Sequence, residues 1–143
     1  MSSIHNLLRN ELLIQQTTTM DRDQLKELRP LIPSALTENS KEVEQFQNEV
    51  LRPILKFQHT FFEHYFNSNS QFLKLIQEKK SRLEFQNKIS QFISNQANIK
   101  HQLIGSVIGL LADEELNYYQ ANSAELNKRI SQMVCQRISD TFY

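Results

Sequence analysis

Apolar residues recur at intervals of three and four along nearly the whole chain, and no stretch of strand length alternates apolar with polar. This periodicity predicts an all-α fold, a compact orthogonal or irregular bundle of about six helices with a long kinked central helix. Ser2 or Ser3 caps a first helix with Ile4, Leu7, Leu8, Leu12 and Leu13 on one side. The β-branched run Thr17-Thr18-Thr19 ends it, so residues 1–20 form a separable N-terminal helix and residues 21–143 the main bundle. A second short helix starts near Asp21 or Asp23 and carries Leu25 and Leu28. Pro30 and Pro33 prevent its continuation, leaving residues 30–38 as a connector with a turn around Ser34 to Leu36.

Asn39 with Glu42 has the spacing of a capping box, which opens a helix running to Phe66. One apolar stripe on it is Val43, Phe46, Val50, Ile54, Phe57, Phe61 and Tyr65, and a second is Leu51, Leu55, Phe62 and Phe66. Two stripes are more than a single seam, so this helix is expected at the centre, contacted from several sides. Pro53 lacks the donor for the Glu49 carbonyl and clashes with it, which predicts a kink near residues 49–53. After the polar break Asn67-Ser68-Asn69-Ser70 comes a short helix with Phe72, Leu73, Leu75 and Ile76. Ser81 with Glu84 caps the next, whose spacing persists to Leu111 with a bend near residues 95–98. Asp113, Glu114 and Glu115 open another, and Asn122 with Glu125 caps the last, which carries Leu126, Ile130, Met133, Val134, Arg137, Ile138 and Phe142.

Composition sharpens this picture. The chain has 143 residues, 39% hydrophobic, with two glycines and three prolines. That is one domain's length, and so few turn formers argue against an all-β, Rossmann or P-loop protein. Sixteen Lys and Arg balance sixteen Asp and Glu, which argues against a dedicated nucleic-acid binder. The most apolar run, Leu103 to Ala112, rises about 15 Å as a helix, half of a hydrocarbon core of ~30 Å. The single cysteine excludes an internal disulfide, and the N-terminus lacks a cationic stretch before an apolar run. The expectation is a soluble cytoplasmic protein.

Four segments, Leu28 to Leu36 (LRPLIPSAL), Glu44 to Gln58 (EQFQNEVLRPILKFQ), Leu103 to Tyr119 (LIGSVIGLLADEELNYY) and Asn122 to Ile130 (NSAELNKRI), resemble a family of short, uncharacterised, all-helical bacterial proteins, some labelled "glyoxalase". The resemblance covers most of the chain from about residue 24 onward and is most specific in EQFQNEVLRPILKFQ. It implies an all-helical bacterial protein and no established activity. The residues oppose the label: glyoxalases hold metals with strand-borne or clustered ligands, and no two of the four histidines here are two residues apart.

The candidate chemistry is sparse. No Glu is followed three residues later by His, as a carboxylate-bridged di-iron bundle requires, so no metal or cofactor is expected. His59 and Glu63 are one turn apart, with His64 beyond, and read as a polar helix edge. Cys135 has no activating neighbour in sequence and reads as an inert buried or half-buried thiol. Lys79, Lys80 and Arg82 are flanked by Glu78 and Glu84 and read as a solvated loop.

Gly105 and Gly109 are four apart on one helix face, and each costs ~1 kcal/mol there relative to alanine. The first expectation is tight packing inside the subunit, against the Pro53 kink; the sharper one is a close helix crossing in a homodimer or a slot for a flat ligand. Arg52, between Leu51 and Pro53, either forms an interhelical salt bridge with Glu49, Glu114 or Glu115 or binds a carboxylate or phosphate ligand. The functional expectation is a non-enzymatic helical interaction module, homo-oligomeric or partner-binding. The alternative is a small-molecule-binding protein or enzyme with a pocket near Arg52 and Glu114/Glu115.

Overall fold

Start signals written in the sequence set several helix boundaries in the computed structural model, which describes residues 3–10, 21–32, 41–78 and 80–143. The Ser81 hydroxyl accepts from the Glu84 N–H at 3.3 Å, the expected cap. The Asn69 side chain does the same for the Phe72 N–H at 3.0 Å. Asn122 behaves differently: its amide donates to the Tyr118 carbonyl at 3.0 Å, closing the preceding helix instead of capping the last one. The Thr17 to Thr19 hinge, the turn around Ser34 to Leu36, Asn39 and Lys79 lie outside the described residues.

Among the described residues every regular element is helical and there is no strand. Helix α1 spans residues 3–10 and is exposed along its length, with Ile4, Leu7 and Leu8 each keeping more than half of their surface. A 3₁₀ helix, Arg22–Leu28, follows. Then come α2 (Glu42–Phe46), a π-helical stretch (Gln47–Leu51), α3 (Arg52–Phe57), α4 (His59–Asn67), α5 (Ser70–Gln77), α6 (Arg82–Ser94), α7 (Ala97–Ile108), α8 (Asp113–Ala121) and α9 (Ser123–Phe142). The break at Asn95 and Gln96 falls where a bend was expected.

Two expectations are corrected. The segments exceed the six or so expected because the long Glu42-to-Phe66 helix is subdivided, by the π-helical stretch and by a turn at Gln58. Instead of a simple kink before Pro53, the chain widens there. The Arg52 N–H bonds the Gln47 carbonyl five residues back, and Pro53 then occupies the first turn of α3, where no donor is needed. Second, α9 is the hub of the bundle. It packs most extensively on α6, next on α7, and also on α4 and α8.

The core follows from the apolar spacing of α9. Leu126, Ile130, Val134 and Ile138 recur every fourth residue and are at most 1% exposed. They meet Ile89 and Ile93 of α6, Leu103 and Val107 of α7, and Leu51, Leu55, Phe62 and Phe66 of the long helical run in one cluster. That run buries its second stripe and leaves Phe57 and Phe61 of the first at 42% and 39% exposure. At one end, Phe72 stacks with Phe66 and Phe142 at centroid distances of 4.7 and 5.0 Å, tying α5 to α4 and α9.

Candidate functional site

Helix α9 buries one residue in four, and beside that spine Arg129, Gln132, Gln136, Arg137, Asp140 and Thr141 line an open groove along it. The facing wall comes from the π-helical stretch and the helices after it: Gln47, Asn48, Arg52, Leu55 and His59. The π winding sits beside the groove, so the strain relief that Pro53 demands also shapes this wall. The cavity encloses about 880 Å³.

Three guanidinium groups share this space, in different states. Arg129 is engaged: its Nη1 donates to Gln47 Oε1 at 2.7 Å, and its Nη2 to Glu125 Oε1 at 3.1 Å. Arg52 is exposed and Arg137 half-buried, and among the described residues neither guanidinium has a hydrogen bond or an ion pair. Burial, and then the like charge of Arg52, pull Arg137 below the ordinary arginine range, with Asp140 acting the other way. Arg137 nonetheless stays protonated at neutral pH, as guanidinium groups do. Asp140, the one carboxylate among the described lining residues, accepts from Gln136 Nε2 at 3.0 Å and lies 3.8 Å from Arg82. His59 at the rim pairs with Glu63 at 2.8 Å.

Arg52 does not meet the acids expected for it. Glu115 is held by Arg29, whose Nη1 and Nη2 reach its two carboxylate oxygens at 2.7 and 2.5 Å. Glu49 and Glu114 are exposed, and neither Glu114 nor Glu115 lines the groove. The expected interhelical salt bridge of Arg52 is therefore replaced by an open setting beside Arg137. Sequence reasoning missed Arg137 by assigning it to the apolar stripe of α9. The spacing marks only Arg129, Gln132, Gln136 and Asp140 as a polar edge, since Arg137 falls within the arc of the Leu126–Ile138 spine.

The glycines also stand differently. A Cβ on Gly105 would meet nothing within 4 Å, and one on Gly109 would meet only the Gly105 carbonyl at 3.1 Å. Both are exposed, so tight packing inside the subunit is not their role. They lie beside α4, because Gln58 Nε2 donates to the Ser106 carbonyl at 2.8 Å and the Tyr65 hydroxyl bonds Gln102. Phe61, between Gln58 and Tyr65 in the chain, is exposed as well.

Cys135 is half-buried; burial pushes its thiol up in pKa, against lowering by hydrogen bonds with Ser90 and Ser131, so little thiolate forms at neutral pH. Among the described residues no three His, Cys, Asp or Glu side chains gather as a metal site would require, and no helix is long and apolar enough to cross a membrane. Comparison with known proteins finds no family model, curated protein or solved structure that matches the chain.

Proposed function

We propose that this protein is a helical binding module whose working surface is the arginine groove between α9 and the π-helical wall, and that it receives an anionic partner there without making or breaking bonds. The observation that carries this reading is the pair Arg52 and Arg137, two positive side chains on one open cavity, neither in a salt bridge among the described residues, against a single lining carboxylate, Asp140. Guanidinium groups bind charge but do not exchange protons near neutrality, which favours recognition over acid–base catalysis. The segment on which the family resemblance chiefly rests, Glu44 to Gln58, supplies Gln47, Asn48, Arg52 and Leu55 to the groove wall. On the sequence resemblance alone we propose to group the chain with those short helical bacterial proteins. The test is thermal unfolding with citrate or sulfate against potassium chloride at equal ionic strength. Stabilisation by the multivalent anions is expected, by linkage to the folded state, beyond that which the same anions give Arg52→Gln, which carries the general exclusion effect; an equal shift in both proteins, or none, overturns the reading.

A second reading, self-association, rests on the exposed Gly105 and Gly109 and on exposed Phe61. Gly105, inside α7, weakens the helix with no neighbour among the described residues to explain it, and a bare backbone on an exposed face is one that a second copy can approach closely across a two-fold axis. Gly105→Leu tests it by light scattering: the reading expects an oligomer that becomes monomeric in the variant with its helicity retained. A wild-type monomer at high concentration removes it.

A further inference from the structure

The groove carries more information than its charge. A carboxylate offers one negative charge and two oxygens, enough for a single guanidinium fork. A phosphate monoester offers ≈ −1.5 to −2 charge at pH 7 and three terminal oxygens, enough to engage two forks together. Arg52 and Arg137 line one cavity, Arg52 from the wall that follows the π-helical stretch and Arg137 from α9; neither is in a salt bridge among the described residues, and the charge of Arg52 bears on Arg137 against that of Asp140. Two like charges held together in this way are best neutralised by a dianion.

The remaining lining describes the rest of the ligand. Asn48 and Gln132 present amides, which both donate and accept, and the Thr141 hydroxyl, which donates to the Arg137 carbonyl at 2.7 Å, presents an acceptor, so the three match alcohol groups. Leu55 and Met133 supply only a small apolar strip, and the lining residues include no Phe, Tyr or Trp, the one ring among the described ones being His59, which is held by Glu63. A base-stacking platform, the usual grip on a nucleotide, is therefore missing from this wall. The cavity of about 880 Å³ lies in the range of small-molecule sites, which run from roughly 300 to 1,000 Å³.

Resting on the anion-receiving reading above, we infer that the groove is a site for a phosphorylated polyol of the sugar-phosphate class, its phosphoryl group held between Arg52 and Arg137 and its hydroxyls read by Asn48, Gln132 and Thr141. The guanidiniums supply most of the affinity, and the amide wall separates a sugar phosphate from free phosphate.

Calorimetric titration of the full chain with glucose 6-phosphate, glucose, inorganic phosphate and citrate tests this. Glucose 6-phosphate is expected to bind more tightly than inorganic phosphate, and glucose not at all. Arg52→Gln and Arg137→Gln should each weaken glucose 6-phosphate by roughly tenfold or more, the loss of one charge-assisted pair. Lys128→Gln, which removes one exposed positive charge outside the groove, should leave it within about twofold. Arg52 is exposed, so its variant keeps the fold and the comparison stands even if Arg137→Gln unfolds. Glucose 6-phosphate binding that is absent at millimolar concentration, or unchanged in Arg52→Gln, overturns the inference. Equal affinity for inorganic phosphate removes the polyol half. Citrate binding that depends on Arg52, with no phosphate ester bound, removes the ligand class and leaves the anion groove standing. No binding of any anion removes both.

Discussion

At the residue scale, two arginines fasten the N-terminal part of the described bundle to the α7–α8 turn. Arg22 donates to the Gly109 and Leu111 carbonyls at 3.0 and 2.8 Å, and Arg29 adds the Leu110 carbonyl at 3.2 Å to its double bond with Glu115. Carbonyls that a helix leaves unpaired at its C-terminal end thus receive charged donors. Burial raises the Glu115 carboxyl, but hydrogen bonds from Arg29 and the Ala112 N–H, with the charges of Arg29 and Lys26, outweigh it and hold the pKa below the ordinary range. A carboxyl with a depressed folded pKa contributes stability that is fully present above its unfolded pKa and lost as pH falls through the folded one. Glu115→Gln should therefore cost about 2 kcal/mol at neutral pH and flatten the acid limb of the stability profile, read by urea unfolding at a series of pH values. Ser139 makes the opposite case. Its hydroxyl is buried at 1% exposure with no hydrogen-bond partner among the described residues, so Ser139→Ala should raise the unfolding free energy by about 1 kcal/mol, read as a higher urea midpoint with an unchanged slope. Neither effect was legible in the sequence. Glu115 showed as a helix-opening acid, but its pairing with Arg29 spans 86 residues and depends on how the 3₁₀ helix docks.

At the element scale, legibility followed locality. The Ser81 cap, the acids that open α8 and the four-residue spine of α9 depend on neighbours within one or two turns, and each stands where the pattern put it. The long helix around Pro53 was legible as a disturbance but not as a π-helix, because the chain can relieve a missing donor by kinking or by widening, and packing selects between them. Which of its two stripes would be buried was likewise a question for the neighbouring helices, and Phe57 and Phe61 lost. The glycines of α7 show the same limit. Their spacing promised a close approach, yet Gly105 faces open space with a negative φ. Gly105→Ala should then stabilise the chain by up to about 1 kcal/mol, since alanine improves the helix and meets no neighbour. Gly109→Ala should gain less, its Cβ lying 3.1 Å from the Gly105 carbonyl. Parallel thermal unfolding of the two variants checks the order; destabilisation by Gly105→Ala would show that this face is covered in solution.

At the scale of the whole molecule, charge balance conceals charge separation. Sixteen positive and sixteen negative side chains sum to zero, which argued against a polyanion binder, but the sum says nothing of where they stand. Acids collect at helix starts, Glu42 and Glu44 on α2 and Asp113, Glu114 and Glu115 on α8, where the helix dipole favours them. Along the groove of α9 the balance tips the other way, because Arg137 joins Arg52 in its lining while Asp140 is drawn toward Arg82 and Gln136. A ligand entering this groove meets a local field set by a few side chains within a Debye length, about 8 Å at physiological ionic strength, instead of the neutral total. Binding of glucose 6-phosphate should therefore weaken several-fold as potassium chloride rises from about 0.01 to 0.15 M, the range over which that length contracts from about 30 Å. Arg52→Gln should make the slope shallower as well as lowering the affinity, since one of the two screened charges is gone. A salt-independent affinity would mean that the amide wall and not the guanidinium pair holds the ligand, and the groove would then have to be read as a neutral site.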